Sequence, residues 1–122
     1  MSREPQLPPQ VQEQLARYQQ LQETLQVVVA QKQQLEIELS ETEKALAELE
    51  KVTNETPVYK SVGTVLLRMD RENLLTELRE KGELLNTRVI TLRNQEQKTM
   101  VRVKEVEEKL REKIRPSGAA TT

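Results

Sequence analysis

From Val11 the apolar residues return at alternating steps of three and four. With heptad position a at Val11, Tyr18, Leu25, Lys32, Leu39 and Leu46, position d falls on Gln14, Leu21, Val28, Leu35, Thr42 and Leu49. Nine of these twelve positions are apolar, counting the tyrosine, and no Gly or Pro interrupts the run from Val11 to Val52. A 3.5-residue repeat keeps one narrow stripe turned toward a partner, which is the signature of a coiled-coil helix. The same spacing resumes at Leu75, Leu78, Gly82, Leu85, Val89, Leu92, Glu96, Thr99, Val103, Val106, Leu110 and Lys113. Asp70 is placed to cap this second helix, and Pro116 disfavours helix at the residue before it.

Between the two heptad runs the period changes. Asn54 is placed to end the first helix and Pro57 blocks its continuation. Val58, Tyr59, Val62, Val65, Leu66 and Leu67 then gather β-branched, aromatic and apolar residues around Gly63, which predicts a short β-hairpin turning at or near that glycine. The chain therefore divides into an irregular lead (residues 1–10), a coiled-coil helix (11–53), a β-hairpin segment (54–69), a second coiled-coil helix (70–114) and a flexible tail (115–122). Its fold class is mainly α: a long antiparallel two-helix coiled-coil hairpin joined by a short β-hairpin.

An antiparallel pairing requires the residue numbers of facing layers to share one sum. A sum of 124 sets Leu49 against Leu75, Leu46 against Leu78, Thr42 against Gly82, Leu39 against Leu85, Leu25 against Thr99 and Tyr18 against Val106. This register is centred on residue 62, inside the predicted hairpin. Two charged residues, Lys32 and Glu96, interrupt the seam in adjacent layers, where they can approach one another or carry their charges out to water on long stems.

Composition narrows the function. Only 35% of the 122 residues are hydrophobic, 32% are charged, and the aromatics are two tyrosines, so a thick globular core is excluded. Nineteen basic residues against twenty acidic ones leave no surplus of positive charge for a phosphate backbone, which argues against nucleic acid. No His or Cys is present to ligate zinc or serve as a thiol nucleophile. The three glycines are isolated at Gly63, Gly82 and Gly118, so no phosphate-cradling loop exists. Carboxylates lie four residues before basic residues, as in Glu77 with Lys81, Glu105 with Lys109 and Glu107 with Arg111, a spacing that supports solvated helix faces. The chain reads as a non-enzyme without metal or cofactor. Lacking a signal-like start or a membrane-length apolar run, it also reads as soluble and cytoplasmic.

A lone two-stranded hairpin is marginal in water, and its open edges ask for partners. Val58, Tyr59, Val62, Gly63, Val65, Leu66 and Leu67 are accordingly the candidate assembly residues, joining hairpins of several chains into a barrel platform. The run Thr56-Pro57-Val58-Tyr59-Lys60-Ser61-Val62-Gly63, followed by Thr64-Val65-Leu66-Leu67, resembles the β-type subunits of prefoldin in their single-hairpin form, as does the opening Leu7-Pro8-Pro9-Gln10-Val11-Gln12. The resemblance implies a hexamer of two α-type and four β-type subunits, with coiled coils hanging from a double β-barrel. It further implies an ATP-independent co-chaperone that captures unfolded client proteins at the coiled-coil tips and passes them to a group II chaperonin.

At the end of the coil away from the hairpin, Val11, Leu15, Tyr18, Val103, Val106, Leu110 and Ile114 supply more apolar groups than one narrow seam can bury, and these are the candidate client-binding residues. Leu74, Leu84, Val27, Val29, Ile90 and Met100 also lie off the seam, where packing near the platform or surface scatter accounts for them. The competing reading is a structural tether or adaptor, a helical hairpin that spaces other proteins without chaperone activity.

Overall fold

The computed structural model describes residues 7–114; the expected tail at residues 115–122 and the first six residues of the lead lie outside the described residues. Four elements follow in chain order: helix α1 (Pro9–Lys51), strands β1 (Val58–Val62) and β2 (Val65–Met69), and helix α2 (Arg71–Lys113). The protein is thus mainly helical, with one antiparallel two-stranded sheet.

α1 starts and stops two residues before the span expected from its heptads, and both shifts have local causes. Proline is tolerated at a first helical position because that amide needs no helical acceptor. Pro9 takes this place, and the Pro8 carbonyl accepts from Val11 N at 2.9 Å and Gln12 N at 3.0 Å. At the far end the helix stops at Lys51, and Asn54 does not adopt the left-handed conformation of a C-cap. Its side chain instead accepts a hydrogen bond from Arg71, whose guanidinium also covers the last carbonyls of α1. The loop between contains a turn closed by Thr56 N donating to Thr53 O at 3.1 Å.

α2 begins where Asp70 caps it: Asn73 N donates to Asp70 Oδ2 at 3.3 Å, and Leu74 N to Asp70 O at 3.0 Å. This satisfies a first-turn amide that would otherwise lack a helical acceptor. Glu72 adds an acidic residue in the first turn and Arg111 and Lys113 basic ones in the last, both favourable to the helix dipole.

Contacts divide the chain into two units: Gln31–Leu92, and the remainder before residue 31 and after residue 92. In the Gln31–Leu92 unit the seam residues are buried or half-buried, with Val89 the most enclosed at 1% exposure. A Cβ added to Gly82 would lie 3.9 Å from Thr42 Cγ2, so these residues face one another in the register expected from the heptads. Leu49, Leu74 and Leu75 form a buried cluster, flanked by Leu46, Val52, Leu78 and the strand residues Val58 and Met69. Leu74, off the heptad, is buried because the base of the sheet covers it. In the other unit Val11, Val28, Val103, Val106 and Thr99 are buried, again at seam positions.

Candidate functional site

The hairpin is built from alternation and one glycine. Val58 pairs with Met69, Tyr59 with Arg68, Lys60 with Leu67, Ser61 with Leu66 and Val62 with Val65. Side chains alternate faces along a strand. Val58, Lys60, Val62, Val65, Leu67 and Met69 therefore share one face, and Tyr59, Ser61, Leu66 and Arg68 share the other. The two-residue turn places Gly63 at φ +58°, and among the described residues no non-glycine residue has positive φ, the pattern of a type II′ turn.

One face meets the helices at its base only. Val58 and Met69 pack on the Leu49–Leu74–Leu75 cluster, and Lys60 Nζ forms an ion pair with Glu77, which therefore serves the strand rather than the Lys81 expected from helical spacing. Farther out on that face Val62, Val65 and Leu67 are exposed, and on the opposite face so are Tyr59 and Leu66, the latter at 70%. Of the seven assembly candidates, Val58 is thus partly spent on the internal core. The others stand open at a sheet of two strands, each with one edge unpaired among the described residues. Exposed apolar groups beside free backbone donors and acceptors suit pairing with further strands.

The unit formed by the two chain ends distributes its candidates differently. Val11, Val103 and Val106 are buried in the seam, Tyr18 and Leu110 are half-buried, and Leu15 and Ile114 are exposed at 37% and 58%. Tyr18 ties the two helices: its hydroxyl donates to Glu107 Oε1 at 3.2 Å and accepts from Gln22 Nε2 at 3.0 Å. Leu7, Val27, Met100 and Val101 are further exposed apolar side chains in this unit. Met100, like Leu15 and Ile114, is exposed, at 38%. All three occupy heptad position e, which flanks the seam, a position that the half-buried Val29 shares.

Among the described residues no cluster of His, Cys, Asp or Glu could hold a metal ion, and no helix is long and apolar enough to cross a membrane. What the described residues present is a hairpin with exposed outer apolar side chains and a helix-end unit in which Leu15 and Ile114 are exposed.

Comparison with known proteins agrees with that geometry. The family model described as prefoldin subunit matches residues 12–117. The chain is 47% identical over 112 residues to the prefoldin subunit beta of Archaeoglobus fulgidus, covering 92% of this chain and 97% of that one. It is 42% identical over 113 residues to the prefoldin subunit beta of Pyrococcus furiosus, covering 93% and 97%. Among solved structures, the prefoldin beta subunit from Thermococcus strain KS-1 superposes with a TM-score of 0.81 at 39% identity, covering 91% of this chain and 97% of that one. A hairpin flanked by two heptad helices, matched in sequence and in fold over nearly the whole chain, makes this protein a member of the prefoldin subunit family.

Proposed function

We propose that this chain is a β-type prefoldin subunit acting as an ATP-independent holdase. Its hairpin joins those of two α-type subunits and three further β-type copies in a cytoplasmic hexamer. The helix ends hold unfolded clients for delivery to a group II chaperonin. The observation that carries the reading is the hairpin with Tyr59, Val62, Val65, Leu66 and Leu67 exposed beside two unpaired strand edges, in a chain 47% identical to a prefoldin subunit beta.

At the helix ends, Leu15 and Ile114 offer the first apolar contact, with Tyr18 and Leu110 beside them. Val11, Val103 and Val106 join when the ends part. Each such contact is small, so capture depends on several arms holding one client, which raises effective concentration.

The test is a chain cut before Tyr18 and after Glu107, which preserves the Tyr18 bond and removes Val11, Leu15, Leu110 and Ile114. Mixed with its α-type partner, it is expected to assemble into a complex containing the full number of subunits and to lose most protection of an unfolded client against aggregation. Full protection by the correctly assembled shortened complex would move the client site elsewhere. Failure to assemble would count against the hairpin as sole assembly surface and favour the tether.

A further inference from the structure

We infer that the layer formed by Thr42 and Gly82 is a built-in flexion point of the helix pair in the Gln31–Leu92 unit. The two residues face one another in the middle of long helices, between the Leu39/Leu85 and Leu46/Leu78 layers. Glycine in a helix interior costs stability relative to alanine, so its presence asks for a reason. Two ordinary reasons are absent. Gly82 does not have positive φ, and a Cβ placed on it would meet Thr42 Cγ2 at 3.9 Å, an ordinary van der Waals contact. Neither backbone conformation nor close approach of α1 requires glycine there.

The facing residue weakens its own helix at the same level. Thr42 is buried at 5% exposure, and its hydroxyl donates to Glu38 O at 2.8 Å, the carbonyl one turn back. Such a back-bond shares the acceptor of the helical amide and favours bending. The layer also brings only one methyl group into a seam whose neighbouring layers are leucine against leucine, so it has the least apolar contact holding the helices together. Backbone entropy in α2, a shared carbonyl in α1 and a thin apolar contact between them coincide at one level. Flexion therefore concentrates there, while the leucine layers on both sides stay closed.

Native-state hydrogen exchange on the full-length chain, read by mass spectrometry, tests this. The expected result is faster amide exchange in residues 40–47 and 80–87 than at the flanking Leu35/Val89 and Leu49/Leu75 layers. Gly82→Ala should slow the fast amides by roughly two- to fivefold, the factor separating glycine from alanine in a helix. Thr42→Val, which removes the back-bond while keeping the branched shape, should slow those of α1. Uniform exchange along the wild-type helices would overturn the inference, as would a Gly82→Ala variant whose exchange is unchanged or is slowed equally throughout the unit.

Discussion

Arg71 Nε donates a hydrogen bond of 3.0 Å to the carbonyl oxygen of Leu49, so the first residue of the second helix closes the end of the first. The same guanidinium reaches Glu50 O at 3.3 Å, Asn54 Oδ1 at 2.9 Å and Glu72 Oε1 at 3.0 Å, and its side chain is only 13% exposed. A helix leaves its last carbonyls without amide partners, and a cation there also meets the negative end of the dipole. One planar fork satisfies both needs.

Removing that fork should be costly. Arg71→Ala is expected to lower the unfolding free energy by about 1–3 kcal/mol in urea titrations, since hydrogen bonds from a charged donor are lost together at a partly enclosed site. Arg71→Lys should recover less than half, because an ammonium cannot span two carbonyls and an amide oxygen in one plane. Full recovery by lysine would mean that charge alone matters there.

Gly63 tests the turn separately from its surroundings. Nothing lies within 4 Å of a Cβ built on it, so any penalty for a side chain comes from its φ of +58° and not from collision. Gly63→Val should destabilise the hairpin by about 1–3 kcal/mol. Gly63→Asn should cost clearly less, because asparagine tolerates the left-handed region better. Equal melting of the two variants would contradict the assigned turn.

Aspartate at Val65 and Leu66 should separate folding from assembly. Both side chains are exposed in the single chain, so helical circular dichroism should be largely retained while the mass of the complex with the α-type partner collapses. Assembly at wild-type mass would remove the hairpin from the interface.

Core and surface leucines should diverge. Leu75→Ala empties part of the cluster beneath the strands and is expected to cost about 2–5 kcal/mol. Leu84→Ala, at an exposed position, should stay within about 0.5 kcal/mol by the same denaturation assay.

Client protection by the assembled complex should be the same with EDTA and without nucleotide. The holding proposed for the helix ends rests on apolar contact alone. A strict requirement for ATP or a divalent cation, seen as aggregation that only those additions suppress, would refute it.

The helices and their register were legible because a seam imposes one repeat along many residues: every heptad position from Val11 to Leu49 is buried or half-buried, and Thr42 does face Gly82. The hairpin was legible because β-branched residues flank a glycine that the turn requires. What escaped was the fate of individual polar groups. Spacing offered Lys81 to Glu77, yet Lys60 on a strand takes it, and Asn54 became an acceptor for Arg71 rather than a cap. Those pairings depend on where a strand base or a loop comes to lie, which no local repeat encodes. At the helix ends, heptad position told seam from flank, but surplus apolar character alone did not separate buried Val103 from exposed Ile114.

The bond from Tyr18 to Glu107 spans 89 residues of chain, whereas that from Arg71 to Leu49 spans 22. Closing a flexible loop costs about 0.6 kcal/mol more for each doubling of its length, so from an unfolded chain the tyrosine contact starts about 1.2 kcal/mol behind. That disadvantage vanishes once shorter-range layers have formed, because the remaining gap is then only a few residues long. Folding should accordingly nucleate beside the strands and reach the layers around and beyond Tyr18 last, with unfolding beginning at those layers. Val11, Val103 and Val106 thus lie among the contacts that chain connectivity makes latest to form and earliest to release.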